Sequence, residues 1–155
     1  MAFWQKNIII LPLNQLQADN NVMLTDKSVA KQIWLRRELN SKGIIIELDK
    51  LISRADWVNS EDWIYWKGDT ENYEDNDVTL IFDKETKLIS AFEFRFDLRT
   101  NSTSFIENII NICHNFQLGF VIDNKIIKPI TSDYLDLITK SSFQKNKFPN
   151  YKSKD

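Results

Sequence analysis

The stretch Phe92-Glu93-Phe94-Arg95-Phe96-Asp97-Leu98-Arg99 alternates apolar and charged residues without a break. Successive side chains of a β-strand point to opposite faces, so this pattern places Phe92, Phe94, Phe96 and Leu98 on a covered face and the four charges on a wet one. A helix would scatter both sets around its circumference. A sheet with one covered and one wet face is the signature of antiparallel pairing, and a strand is predicted over Leu88–Arg99.

The segments around it follow the same logic. Asp77–Asp83 carries Val78, Leu80 and Phe82 on one face, and Lys84–Lys87 makes a short turn into the next strand. Asp62–Lys67 alternates around aromatic residues, and Gly68–Asn76 is a polar loop. Lys6–Leu11, with Ile8, Ile9 and Ile10 in a row, predicts a first strand. Leu118–Asp123 and Ile126–Ile130 predict two more strands, turning at Asn124. Leu13–Met23 reads as loop.

Helices are predicted in three places. Thr25, Asp26 or Ser28 can cap a helix carrying Val29, Ala30, Ile33 and Trp34, expected to end near Ser41 with Gly43 as its stop. Ile44–Leu48 is then a strand or buried turn, and Leu48–Arg54 one or two helical turns. Ser102 or Ser104, with Glu107 three residues after Ser104, opens a helix whose stripe is Phe105, Ile106, Ile109, Ile110, Cys113 and Phe116. Thr131, Ser132 or Asp133 caps a last helix with Tyr134, Leu135 and Ile138. Strands grouped in a meander between helices give an α+β class: an antiparallel β-meander sheet with helices packed on one face. A single domain is expected over residues 1–142, followed by a polar, lysine-rich tail at 143–155.

At 155 residues, with 43% hydrophobic and 27% charged residues, the chain can bury a core without a disulfide staple. A formal charge of −2 disfavours general nucleic-acid binding. One cysteine suits a reducing compartment, no segment has the ~20 apolar residues needed to span a membrane, and the run Ile8–Leu13 is too short for a signal peptide. A cytoplasmic protein is expected. Three glycines, none clustered, disfavour phosphate-cradling loops.

Catalytic candidates are thin. His114 is the one histidine, and Cys113 beside it points about 100° away on a helix, so the two cannot pair as nucleophile and base. Zinc favours several Cys or His ligands, and two are present. Glu85-Thr86-Lys87 has the spacing of a metal-nuclease triplet but falls in a tight turn. No catalytic residue, metal or cofactor is assigned.

The most unusual segment is Asp56–Asp77. Asp56, Glu61, Asp62, Asp69, Glu71, Glu74, Asp75 and Asp77 stand against one base, Lys67, and are interleaved with Trp57, Trp63, Tyr65, Trp66 and Tyr73. Tryptophan and tyrosine anchor interfaces because they bury much area at little entropy cost. Dense negative charge speeds capture of a basic partner. The same residues also fit core aromatics beside a solvated loop; alternation on Asp62–Lys67 sends one of Trp63 and Trp66 into the core. Glu93, Arg95, Asp97 and Arg99 form the rival contact face, or else a plain solvent face.

The stretch Asp77–Ser142 resembles immunity proteins of bacterial polymorphic-toxin systems. The resemblance lies in Val78–Asp83, a short turn, Phe92–Arg99, Phe105-Ile106 opening a helix, Ile126-Ile127-Lys128-Pro129 and Leu135–Ser141. It covers under half the chain, and no functional residue carries over. It implies one-to-one neutralisation of a cognate protein toxin. The acidity of Asp56–Asp77 points to a basic toxin domain, with a nuclease as one such target. The alternatives are a small metal-dependent hydrolase or nuclease using scattered carboxylates, and an oligomerising structural module.

Overall fold

The computed structural model describes residues 5–13, 23–39, 41–57, 60–68, 75–97, 103–122 and 125–127. Among them the elements run β1 (Gln5–Pro12), α1 (Lys27–Leu35), α2 (Ser41–Leu51), β2 (Trp63–Lys67), β3 (Asp77–Phe82), β4 (Ile89–Asp97), α3 (Thr103–Asn115), β5 (Leu118–Ile122) and β6 (Lys125–Ile127). The strands form one sheet in the order β2-β3-β4-β1-β5-β6, with every pairing antiparallel. The α+β class is thus the observed one. The meander holds for β2-β3-β4, whereas β1 inserts between β4 and β5.

Register shows which face the helices cover. Ile8 lies opposite Phe94, Ile10 opposite Phe120, Val78 opposite Phe94, and Trp66 opposite Val78. Directly opposed residues share a face, so these side chains form one apolar layer, and all of them are buried. Phe94 sits at its centre, with ring centroids 6.1 Å from Phe96, 6.2 Å from Phe105 of α3 and 5.3 Å from Phe120. Trp34 of α1 tilts against Phe92 at 6.4 Å and donates its indole N–H to the Ile10 carbonyl at 3.1 Å. α1 and α3 therefore pack on the same face. α2 joins them there, because Asp49 accepts the Trp66 indole N–H at 2.9 Å.

Asp26 caps α1 as expected, accepting the Ser28 amide at 2.8 Å. The helix is shorter than predicted, however, and Gly43 does not stop it. Gly43 lies within α2, and the segments expected as a strand and a separate turn, Ile44–Leu48 and Leu48–Arg54, belong largely to that single helix. Ile44 and Leu48, one turn apart, are both buried, and this tertiary burial outweighs the strand preference of the isoleucine run. The glycine admits a neighbour instead: a Cβ there would meet the Phe116 ring at 2.9 Å. Ser104 likewise falls inside α3, one residue past its start, rather than at its cap.

The β3–β4 turn is tied by Asp83, whose Oδ1 accepts the Thr86 amide at 3.0 Å and the Thr86 hydroxyl at 3.1 Å. Lys87 there takes a left-handed φ of 57°. Lys31 of α1 reaches Asp83 at 2.8 Å, clamping helix to turn. The loop at 14–22, most of the Gly68–Asn76 loop, Leu98, Ser102, the strand end at 128–130, the last predicted helix and the tail lie outside the described residues. Among the described residues no helix is long and apolar enough to cross a membrane.

Candidate protein-docking surface

Strand β2 sits at the edge of the sheet, but its outer edge is closed by the chain that precedes it. The Lys67 amide donates to the Ser53 carbonyl at 3.0 Å, and the Ala55 amide donates to the Tyr65 carbonyl at 2.8 Å. Ser60 and Trp63 exchange backbone bonds at 2.9 and 3.3 Å. Covering an edge this way removes a template for strand addition. It also lays Trp57 beside Tyr65, with ring centroids 6.3 Å apart and planes at 53°.

The side chains opposite the core layer form rows across the sheet. Register puts Trp63 opposite Ile81 and Ile81 opposite Ala91. The next row is Tyr65, Thr79, Glu93 and Ile9, and the third is Lys67, Asp77, Arg95 and Asn7. Trp63 is exposed, and Tyr65, Thr79, Ile81 and Ala91 are half-buried. An apolar and aromatic strip is thus bordered by a charged row. No described helix lies on this face, although Leu11 and Val121, toward the β1–β5 end, are buried.

The charged row is paired internally. Arg95 grips Asp77 through Nε, at 3.0 and 2.8 Å to the two carboxylate oxygens, and through a second guanidinium nitrogen. The same guanidinium donates to the Tyr65 hydroxyl at 3.2 Å. Lys67 bonds Asp75 and lies 3.8 Å from Asp77. Asn7 donates to Glu93 at 3.0 Å. Asp77 holds the Arg95 guanidinium above its ordinary pKa, with burial opposing.

Burial, reinforced by the charge of Asp77 and opposed by Arg95, pushes the Tyr65 phenol up to about 12 from 10.0. The fold therefore favours the neutral phenol. Below pH 10.0 Tyr65 is protonated whether the chain is folded or unfolded, and no penalty arises. Between 10.0 and about 12 the unfolded chain sheds this proton first, so stability falls as pH rises. An absorbance titration of phenolate should show one phenol with a midpoint near 12. That step is expected to vanish in Tyr65→Phe; its persistence would assign it elsewhere.

The structure sorts the sequence candidates. Trp57, Trp63 and Glu61 are exposed, and Tyr65, Asp75, Glu93 and Arg95 are half-buried on or beside this face. Three candidates are corrected. Trp66 is 0% exposed and belongs to the core layer, because it faces opposite to Trp63 and Tyr65. Asp77 shares the outer face but is buried under its salt bridges. Asp97, expected on the wet face with Arg95, is also buried, and its amide donates to Asn76 Oδ1 at 2.9 Å. Asp69, Glu71, Tyr73, Glu74 and Arg99 lie outside the described residues. Ile81, Thr79, Ala91 and Asn7 were missed, since only strand register brings them to the aromatic strip.

The catalytic candidates fall away from this face. Cys113 is buried in the core cluster, where burial pushes its thiol up, and His114 is exposed. Glu85-Thr86-Lys87 occupies the β3–β4 turn, with Lys87 donating to Asp62 at 2.9 Å. Among the described residues no cluster of three or more His, Cys, Asp or Glu side chains could hold a metal. Comparison with protein families, curated proteins and solved structures found no match.

Proposed function

We propose that this chain is a non-catalytic binding protein, an immunity protein that neutralises a cognate bacterial toxin domain through the outer face of β2-β3-β4. The observation that carries the proposal is the exposure of Trp57 and Trp63, 65% and 43%, with the Trp57 ring centred 6.3 Å from that of Tyr65. Large aromatic rings left in water beside a half-exposed apolar row, with a charged border, match the layout of an interface centre and rim. Recognition is by side chains, because the edge of β2 is already hydrogen-bonded. The partner is basic: Asp56 and Glu61 are exposed and stand within two residues of Trp57 and Trp63 in the sequence, and Asp69, Glu71 and Glu74 follow further along it. A hydrolase site built from the described acids is disfavoured, since Asp75 and Asp77 are held by Lys67 and Arg95.

The test is capture of the basic protein encoded in the adjoining reading frame by the full chain. A one-to-one complex is expected. Trp57→Ala and Trp63→Ala should each weaken it by about 30-fold or more, the cost of a hot-spot truncation, with the unfolding midpoint nearly unchanged. Absence of a complex, or a complex indifferent to both substitutions, sinks the proposal.

A further inference from the structure

Trp57 lies between α2 and β2 and is 65% exposed, so its own burial does little to hold it in place. The chain on either side of it must do so. Upstream, residues 52–57 form a strap along the edge of β2, tied by the Ser53 carbonyl to the Lys67 amide and by the buried Ala55, whose amide donates to the Tyr65 carbonyl. Downstream, Ser60 is tied to Trp63. A few backbone bonds at an edge hold a segment only weakly, and such segments open locally before the domain unfolds.

One side-chain clamp reinforces the strap. Arg54 stands opposite Trp66 in an isolated antiparallel bridge, so it shares the inner face with that ring. Its guanidinium lies 5.9 Å from the centre of the Trp66 ring. Nε and Nη2 donate to the two oxygens of Asp49 at 2.7 Å each, and the Trp66 indole N–H donates to the same carboxylate at 2.9 Å. Both partners are anchored: Trp66 is fully buried, and Asp49 follows the buried Leu48 on α2. A guanidinium that forks onto a carboxylate and lies on a ring is fixed in direction as well as in distance.

We infer that Arg54, held by Asp49 and Trp66, is a positioning residue for the docking face: it pins the strap from the inner side and thereby sets the pose of Trp57 on the outer side. Its effect on binding rests on the protein-binding reading above, whereas the pose is a property of the free chain.

The experiment replaces Arg54 in the full chain by methionine, which keeps an apolar stem over Trp66 but loses the charge and the fork, and by lysine, which keeps the charge alone. Nuclear Overhauser contacts between the Trp57 and Tyr65 rings report the pose. Hydrogen exchange at the Ala55 and Lys67 amides reports the strap. In Arg54→Met the ring contacts are expected to fade and the two amides to exchange about five- to tenfold faster, while amides of β1 and β4 keep their rates. Arg54→Lys should fall between. Asp49→Asn breaks the clamp from its other side and should give the same pattern, so the outcome does not depend on one variant folding. Unchanged ring contacts and strap amides in both Arg54→Met and Asp49→Asn overturn the positioning role. So does a uniform rise in exchange across the sheet, which marks general destabilisation.

With the basic protein of the adjoining reading frame as probe, Arg54→Met should weaken capture about three- to tenfold. That loss should disappear in a Trp57→Ala background, because a residue that acts through Trp57 has nothing to act on once the ring is gone. A loss that persists undiminished gives Arg54 a contact of its own and overturns the role. If the strap responds as described and no partner is captured, the binding reading falls and the clamp stands. If a partner is captured through Trp57 while the ring pose ignores both clamp variants, the clamp falls and the binding reading stands.

Discussion

Trp66→Ala is expected to cost about 3–5 kcal/mol of stability, whereas Trp63→Ala on the same strand costs less than about 1 kcal/mol. Trp66 is fully buried opposite Val78, and it donates its indole N–H to Asp49. Truncation opens a cavity in the layer that joins β2 to β3. It also removes one of the donors that fix Asp49, the carboxylate that orients Arg54. Domains are stable by roughly 5–15 kcal/mol, so this single change takes a large share. Trp66→Phe should recover much of the loss, because most of the volume returns while the hydrogen bond does not. Urea unfolding with an unchanged slope makes the measurement. If Trp66→Ala and Trp63→Ala prove equally costly, the inward and outward assignments of the two tryptophans are wrong.

Arg95→Met is expected to be of similar size, about 3–5 kcal/mol, for an electrostatic reason. The Asp77 side chain is only 4% exposed and is held by Arg95, with Lys67 3.8 Å away. Removing the guanidinium leaves a buried carboxylate with a single, more distant cation. The double substitution Asp77→Asn/Arg95→Met takes away both charges and should regain most of the deficit, since a neutral amide is far less costly to bury. The difference between single and double variants in a denaturant series reads the coupling directly. A double variant as unstable as the sum of its singles would mean that the two side chains act independently.

What was legible in the sequence was whatever a short window could settle. The Phe92–Phe96 alternation fixes a strand and its covered face. The step from Trp63 to Trp66 sends one ring out and the other in. Asp26 marks a helix start because the cap acts within two residues. The failures need distant partners. Gly43 looks like a helix stop until the Phe116 ring is seen filling the space its hydrogen leaves. Asp77 and Asp97 look like surface acids because their alternation says which face they are on, and not what else lies against it. The candidate strip was half visible: Trp57, Trp63 and Tyr65 stood out by type, whereas Ile81, Thr79 and Ala91 join them only through the register of β2, β3 and β4. Closure of the β2 edge by Ser53, Ala55 and Ser60 leaves no trace in residue type, because backbone groups make it.

The position of β1 sets an order of assembly. Its neighbours are β4, with Asn7 opposite Arg95, and β5, with Ile9 opposite Val121. Strands β3 and β4 can zip up across their turn, while β1, made before them, finds its first partner only when β4 has formed. During synthesis the earliest strand waits until Leu118–Ile122 has left the ribosome before both of its flanks are filled. Closing loops of that length is slow compared with forming hairpins. Until then, the isoleucine run of β1 is the stretch of nascent chain with the greatest need of shelter.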